Sequence, residues 1–196
     1  GGSLSLAWSS SELDDTMSLA WGDWDGDGDL DLAVGNEDQG GTANRVYENS
    51  GGSLSLAWSS IEADRTFSVA WGDWDGDGDL DLAAGSHNAP DRVYENAGGT
   101  LSLAWSSSAA LSTRSVAWAD WDGDGDLDLA AGNLPDPNRV YENRRIAPAR
   151  LPNGLTYATV QSPGITAVAP AGFSTAEVLP GPSITVPFTL FDADSD

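Results

Sequence analysis

The 196-residue sequence contains no cysteine and a single histidine. Disulfide bonds therefore cannot stabilise the fold, and the chain has neither a cysteine nucleophile nor a pair of histidines for acid–base catalysis. A Gly-x-Ser-x-Gly nucleophile motif is also absent from the sequence. These absences predict that the chain is not an enzyme.

Basic residues are scarce: 8 lysines and arginines stand against 31 aspartates and glutamates, for a formal net charge of -23. A chain this acidic is not expected to bind nucleic acid or an anionic membrane surface. No run of about 20 apolar residues is present, so no membrane span is predicted. Apolar residues still make up 40% of the chain, which is enough for a packed core.

Neither a signal peptide nor a methionine opens the sequence. Residues 1–10 repeat residues 51–60 letter for letter, so the sequence starts within a repeat. We expect it to be a piece of a longer protein, in which case the lack of a targeting signal carries no information.

One acidic motif, Asp-Trp-Asp-Gly-Asp-Gly-Asp-Leu-Asp-Leu, occurs at residues 23–32, 73–82 and 120–129. Its clustered carboxylates repel one another unless a divalent cation lies among them. Because every side-chain ligand is an oxygen, the motif favours a hard ion such as Ca²⁺ over zinc or copper. We predict one calcium ion per repeat, three in all, bound by Asp23, Asp25, Asp27, Asp29, Asp31, Asp73, Asp75, Asp77, Asp79, Asp81, Asp120, Asp122, Asp124, Asp126 and Asp128.

Positions 1, 3, 5 and 9 of the motif are expected to supply carboxylates, and position 7 a backbone carbonyl. Gly28, at position 6, is expected to adopt the positive φ that lets the chain curl around the ion. An EF-hand would need a glutamate at position 12, where the three copies have Val34, Ala84 and Ala131. Position 9 instead leads into an alternating apolar segment, so the loop joins two strands. The alternative is a solvated acidic turn that binds no ion.

The motif recurs after 50 and then 47 residues, a spacing typical of propeller blades or solenoid turns. Leu19 and Trp21 share one face of their segment, whereas Ala20 and Gly22 share the other. Sheets of this kind can pack bulky face against small face, as blades around an axis do. In the first unit, four alternating segments predict an all-β antiparallel meander, at 18–22, 30–35, 45–49 and 54–59.

Nine tryptophans fall three to a unit, at equivalent positions in each copy. We expect most of them in the core, since identical placement fits packing better than recognition, and a sugar-binding platform is the alternative. They are Trp8, Trp21, Trp24, Trp58, Trp71, Trp74, Trp105, Trp118 and Trp121.

These units resemble FG-GAP or VCBS repeats, the blades of the integrin-alpha-type β-propeller. The matching residues are the acidic loop at 23–32, Ala-Val-Gly at 33–35, and Arg-Val-Tyr-Glu-Asn at 45–49 with the two glycines at 51 and 52. The resemblance implies calcium in the loop between the first two strands of each blade. It covers residues 1–143 and implies three blades, in units centred on 17–60, 67–107 and 114–143, with 4–10 as an orphan fourth strand.

Propellers of this family usually have six or seven blades, whereas this sequence has three copies of the loop. The third unit reaches Asn143 and then lacks a fourth strand. In a closed ring, the strand at 4–10 would complete the last blade, because closure removes exposed sheet edges. Otherwise, more blades precede this sequence in a parent protein, or copies of the chain self-associate to close or extend the array.

The three copies differ mainly in two kinds of loop, which a meander places on the side opposite the metal loops. A protein or glycan ligand on this variable loop face is the functional interpretation, and tolerated sequence drift is the other. His87 is expected to be an exposed residue of one such loop. The loops lie between strands 2 and 3, at 35–44, 85–91 and 132–138, and between units, at 9–17, 59–67 and 106–114.

Residues 144–196 contain no tryptophan and seven of the ten prolines. We predict a Pro-rich linker with some strand at 144–182. Alternating apolar residues within 183–196 predict the first strand of a β-sandwich-like domain.

The expected function is that of a calcium-binding extracellular module, secreted or on the cell surface, that serves in binding or adhesion. Calcium would stabilise the loops between strands, which works best where calcium is abundant, outside the cell. One alternative is a structural repeat protein that assembles into filaments or surface layers. A second is a catalytic or non-catalytic propeller part of a polysaccharide-active enzyme.

Overall fold

The computed structural model describes residues 2–37 and 40–144. Contacts between Cα atoms divide the chain into two units, Gly1–Arg145 and Ile146–Asp196, and the described residues lie in the first. Apart from Arg144, the segments predicted as a linker and as a sandwich strand lie outside the described residues. Within the described part, the fold is all-β, with nine strands and no helix that could span a membrane.

The first sheet is an antiparallel meander in which each strand pairs with the next one along the chain. The predicted segments are confirmed, with ends that differ by at most two residues. Gly51 and Gly52 make the tight turn before the last strand, and both have the positive φ that such turns require. We call this sheet blade 1; its strands are β1 (Thr16–Gly22), β2 (Asp31–Asn36), β3 (Arg45–Ser50) and β4 (Ser53–Ser59).

The second sheet is also antiparallel and contains two blades that share one long strand. Residues 101–112 of that strand, β7, pair with β6 and complete blade 2, whereas residues 113–119 pair with β8 and begin blade 3. The strands are β5 (Thr66–Gly72), β6 (Asp81–Asn96), β7 (Leu101–Ala119), β8 (Asp128–Asn133) and β9 (Arg139–Tyr141).

The prediction of variable loops at 85–91 and 106–114 is wrong. Both lie within strands, and they pair with each other, with His87 opposite Ser112 and Pro90 opposite Ala110. The physical reason is that backbone N–H and C=O groups need partners, and two neighbouring segments can supply them to each other. The variable surface of blades 2 and 3 is therefore partly a β-ladder.

The orphan strand expected at 4–10 is also absent, since residues 2–15 form no strand. A segment becomes a strand only where a neighbouring sheet edge accepts its backbone hydrogen bonds, and it pairs with none of the nine strands in the described part of the chain. Trp8 instead packs edge-on against Tyr47 of β3, with ring centroids 5.1 Å apart.

Successive blades stack bulky face on small face, as expected. Trp71 of blade 2 covers Gly22 of blade 1 so closely that an added Cβ would lie 2.7 Å from the Trp71 ring. The Trp71 indole also donates to the carbonyl of Ala20, at 3.2 Å. Trp118 of blade 3 repeats this arrangement on blade 2. Within the described part of the chain, the sheets do not close into a ring, and the blades form an open stack.

Burial of the tryptophans follows their place in this stack. Trp24 is buried in the core that joins blades 1 and 2, and six others are half-buried. Trp21 and Trp121 are more than half exposed, and they belong to the two end blades. Most of the nine tryptophans therefore serve in packing.

Candidate metal centres

Each acidic loop connects the first strand of a blade to the second. We call them loop 1 (residues 23–31), loop 2 (73–81) and loop 3 (120–128). Gly28, Gly78 and Gly125 have φ angles of 95°, 102° and 99°. An L-residue is strained in this conformation, so the glycine predicted at position 6 is required by the backbone of all three loops.

Backbone N–H groups within the loop orient its carboxylates. In loop 1, Gly28 donates to Asp23 Oδ2 at 3.1 Å, Asp27 donates to Asp25 Oδ1 at 3.1 Å, and Asp29 donates to Asp27 Oδ1 at 2.8 Å. The same three bonds recur in loops 2 and 3. In loop 1 these bonds hold one oxygen of each carboxylate and leave capacity on the other oxygen for an ion. In loops 2 and 3, Asp73 Oδ1 and Asp120 Oδ1 also accept the N–H of Gly76 and Gly123, at 2.8 Å and 2.7 Å.

Three carboxylates converge in each loop, with one oxygen from each lying within 4.8 Å of the others. In loops 2 and 3 they come from positions 1, 3 and 9, whereas in loop 1 they come from positions 1, 3 and 5. Position 5 of loops 2 and 3 and position 9 of loop 1 lie outside these groups. The groups are Asp23, Asp25 and Asp27; Asp73, Asp75 and Asp81; and Asp120, Asp122 and Asp128.

The side chains at position 7, Asp29, Asp79 and Asp126, belong to none of the three groups. Asp29 Oδ2 accepts the N–H of Gly51 at 3.0 Å, and Asp79 Oδ2 accepts that of Gly98 at 3.1 Å. The Asp29 and Asp79 side chains therefore hold the turn between the third and fourth strands of blades 1 and 2. That position 7 offers its backbone carbonyl to an ion stays a prediction.

Position 9 anchors the loop to the sheet as well as carrying charge. Asp81 is fully buried; its Oδ2 accepts the N–H of Trp74 at 2.7 Å, and its Oδ1 accepts that of Asn96 at 2.8 Å. Asp31 and Asp128 make the equivalent pairs of bonds. Burial raises the pKa of Asp31 and raises that of Asp81 to about 6. Without a cation, this carboxylate is therefore costly to ionise.

Sequence reasoning missed a set of asparagines, Asn49, Asn96 and Asn143, that support the loops. The Asn96 side-chain amide donates to Leu80 O in its own blade's loop, at 3.2 Å, and to Trp24 O in loop 1, at 2.5 Å. Asn143 bonds in the same way to Leu127 and Trp74, and Asn49 bonds to Leu30. The available signal was the Arg-Val-Tyr-Glu-Asn segment in every copy, which we interpreted only as a strand.

The loops fit a hard divalent cation. Asp23 Oδ1 is buried and has no hydrogen-bond partner among the described residues, so it is left for a ligand other than protein. Three carboxylate oxygens at this spacing match the oxygen ligands that Ca²⁺ prefers. The half-buried arginines Arg45 and Arg92 are paired elsewhere, with Asp14 and Asp64, each at 2.6 Å.

A second cluster lies at positions that differ among the copies. The Arg114 guanidinium stands over the Phe67 ring at 4.3 Å, and the half-buried His87 ring meets Phe67 edge-on at 5.5 Å. Arg65 lies near the same ring and is paired with Glu37. We call these five residues the Phe67 cluster. His87 is thus not the exposed loop residue that we expected.

The sequence model of the FG-GAP-like repeat matches the chain twice, at residues 23–84 and 74–131. Together the two matches cover more than half of the chain. Each match runs from the start of one acidic loop through the end of the next, so the loops and the strands between them carry the similarity. A comparison with curated proteins finds no match.

Proposed function

This chain belongs to the FG-GAP-like repeat family, and on that premise we propose that it is a calcium-stabilised, β-propeller-like binding module that acts outside the cell. The convergence of three carboxylate oxygens in every acidic loop carries the proposal. Each loop would hold one ion, chiefly through the carboxylates at positions 1 and 3, with a third at position 5 or 9.

The ligands favour a hard cation such as calcium over softer metals. All the converging side-chain atoms are carboxylate oxygens, and the chain offers neither cysteine nor a second histidine for softer metals. Bound ions would also offset the repulsion within a chain of net charge -23.

An extracellular role follows from mass action. A ligand stabilises a fold according to the ratio of its concentration to the dissociation constant, so calcium loops stabilise most where calcium is plentiful. Because the chain has no cysteine, disulfides cannot join its strands, and ions bound in the three loops would stabilise the strand connections instead. We therefore place the module at the cell surface or in secreted material.

The Phe67 cluster supports a ligand-binding role for the variable side of blades 2 and 3. Its positions are filled differently in each copy; Phe67 corresponds to Met17 in blade 1 and Arg114 in blade 3. An aromatic ring flanked by two arginines can contact a protein or a glycan that presents an acidic group. The chain has only 8 basic residues, and two of them, Arg65 and Arg114, lie at this ring. Their proximity favours this surface as the ligand-binding site.

A structural repeat protein that assembles into filaments or surface layers is the second candidate. It is favoured by the exposed apolar residues on blade 1, Leu19 and Trp21, which neither of the other two described blades covers. We propose no enzymatic activity.

Native mass spectrometry of the chain with calcium, with magnesium and with a chelator tests the proposal. We expect three calcium ions per chain, and two in the Asp75→Asn variant, which loses a converging carboxylate of loop 2. Asp14→Asn, an equal charge change outside the loops, is the control and should retain three. Failure of the wild-type chain to bind calcium would leave the loops as solvated turns.

A further inference from the structure

Among residues 2–37 and 40–144, blade 3 has no counterpart of the outer strand that completes the other two blades. β4 covers the outer edge of β3 in blade 1, and the first part of β7 covers the corresponding edge of β6 in blade 2. Among the described residues, β9 pairs only with β8, so its outer edge is open. Its backbone N–H and C=O groups are consequently available to another strand.

A cavity of about 600 Å³ lies beside this open edge, lined by Trp105, Trp118, Leu129, Val140 and Tyr141 among others. At the equivalent place in blade 2, Leu101 fills the core and is only 5% exposed. The Trp58 indole there donates to the Leu101 carbonyl at 3.0 Å. The cavity therefore has the size and lining for a leucine-bearing strand.

The chain also contains a second copy of a fourth-strand sequence, which pairs with no sheet among the described residues. Residues 1–10 are identical to residues 51–60, which include β4. Leu4 thus corresponds to Leu54 and to the buried Leu101, yet Leu4 is fully exposed and residues 2–15 form no strand. Residues 3–9 therefore have the sequence of the fourth strand that blade 3 would need.

Contacts around Trp8 show which blade this segment already accompanies. Trp8 packs edge-on against Tyr47, just as Trp58 packs against Tyr94 of the next blade. Downstream, Glu12 accepts the Tyr47 hydroxyl at 2.9 Å. The segment is therefore held on blade 1, at the end of the open stack opposite blade 3, and cannot complete blade 3 of its own chain while these contacts persist.

We infer that residues 3–9 of one copy form the fourth strand of blade 3 in a second copy, joining chains head to tail. Leu4 would occupy the cavity beside β9, and the main chain would pair with the open β9 edge. Trp8 would keep its contact with Tyr47 of its own chain. Each copy donates one strand and accepts another, which is a heterologous contact that extends into an open array.

The exposed face of blade 1 could pack on blade 3 of a second copy, as each internal blade packs on the one before it. Blade 1 presents Leu19 and Trp21, which are 60% and 56% exposed and correspond to residues that pack on the preceding blade elsewhere. Between blades 1 and 2, the Trp71 indole donates to Ala20 O and the Val69 N–H donates to Ser18 Oγ. Between blades 2 and 3, Trp118 and Val116 make the same two bonds to blade 2. In the joint between copies, the acceptors would be Ala117 O and Ser115 Oγ of the second chain.

One residue makes this joint weaker than the internal ones. Ala119 stands where blades 1 and 2 have Gly22 and Gly72, and a Cβ at Gly72 would lie 2.5 Å from the Trp118 ring. The Ala119 methyl must therefore hold the incoming Trp21 slightly away. We expect reversible, concentration-dependent assembly, strengthened by the Ala119→Gly change.

Sedimentation velocity of the full 196-residue chain over a range of concentrations tests the inference. Leu4→Asp should raise the concentration needed for assembly about tenfold or more, because the apolar contact of Leu4 with the cavity is lost and a charge takes its place. Leu13→Asp is the matched control, since Leu13 is equally exposed in the same segment but outside the repeated strand. Both variants should remain folded, because both leucines are exposed in the single chain.

A synthetic peptide of residues 1–10 should dissociate the assembly by filling blade 3, and the same peptide with Leu4→Asp should not. A wild-type chain that stays monomeric at every concentration would overturn the inference, as would equal assembly of the Leu4→Asp and Leu13→Asp variants. The calcium count from native mass spectra is independent of this result, so the two proposals can fail separately.

Discussion

The side-chain amide of Asn96 donates to the backbone carbonyl of Trp24, 72 residues earlier in the chain. Asn96 is fully buried, and its own backbone N–H donates to Asp81 of loop 2. One residue thus ties the acidic loop of its own blade to the acidic loop of the preceding blade. Loop geometry and blade stacking are therefore coupled, and an ion in one loop would stabilise the joint as well as the turn.

Replacing Asn96 with alanine should destabilise the fold by about 1–3 kcal/mol, because two carbonyls lose a buried donor. Asn49→Ala is the matched control; the Asn49 amide reaches Leu30 of its own blade and spans no internal joint. Urea unfolding in calcium, at concentrations where the chain is monomeric, measures both. Equal losses in the two variants would show that the bond to Trp24 contributes nothing.

Gly85→Ala should cost about 1–3 kcal/mol of stability through overpacking. A Cβ at Gly85 would lie 2.6 Å from Val116 Cγ1 and 2.8 Å from Thr113 Cγ2 of blade 3. Gly132 occupies the same position in blade 3, where its nearest neighbour to such a Cβ is 3.6 Å away. Gly132→Ala should therefore be nearly neutral in the monomer, and thermal unfolding of the two variants compares a covered site with an open one.

Without calcium, the chain should become more stable as the pH falls from about 7.5 to about 5. Burial raises the folded-state pKa of Asp81 to about 6 from an ordinary value of 3.8, so the folded state binds this proton more tightly than the unfolded state. The stability that this group contributes is complete below pH 3.8 and is lost as the pH rises through about 6. The expected size is about 1 kcal/mol or more at Asp81.

With calcium the trend should reverse, because the ion binds the ionised carboxylate and competes with protons. Melting temperatures with calcium and with chelator, measured at both pH values, check this. Asp81→Asn is the control and should flatten the chelator profile. A calcium-induced rise in melting temperature that is larger at pH 5 than at pH 7.5 would contradict the prediction.

Asp91→Asn should stabilise the chain by about 1 kcal/mol at neutral pH. Asp91 is buried, which raises its pKa, so its ionised form is costly at pH 7 and its contribution to stability is lost as the pH rises. The equivalent residues are Asn44 and Asn138, and their Oδ1 atoms accept the same backbone bond that Asp91 accepts from Ser86.

The gain from Asp91→Asn should fade in acid, where Asp91 is protonated. Urea titrations at about pH 7.5 and about pH 4 measure the difference. Asp91→Ala, which removes the acceptor as well as the charge, should be destabilising at both values. A variant less stable than wild type at neutral pH would show that the ionised carboxylate is needed.

The sequence by itself determined the features that depend on neighbouring residues. Alternation of bulky and small side chains specified the strands of blade 1, whose ends agree with the structure to within two residues. The spacing of Asp23, Asp25, Gly28 and Asp31 specified the curled loop and its positive-φ glycine. These features were readable because side-chain parity and loop geometry arise within about ten residues.

Only the tertiary structure decided the features that require distant segments to meet. Residues 87–90 became part of a strand because residues 110–112 lie beside them. Residues 4–9 form no strand, because none of the described strands pairs with them. Asn96 gained its role from Trp24 of another blade, and Asp81 its raised pKa from burial. Pairing, burial and desolvation are properties of the assembled chain, since each depends on which surfaces are brought together and which are left to water.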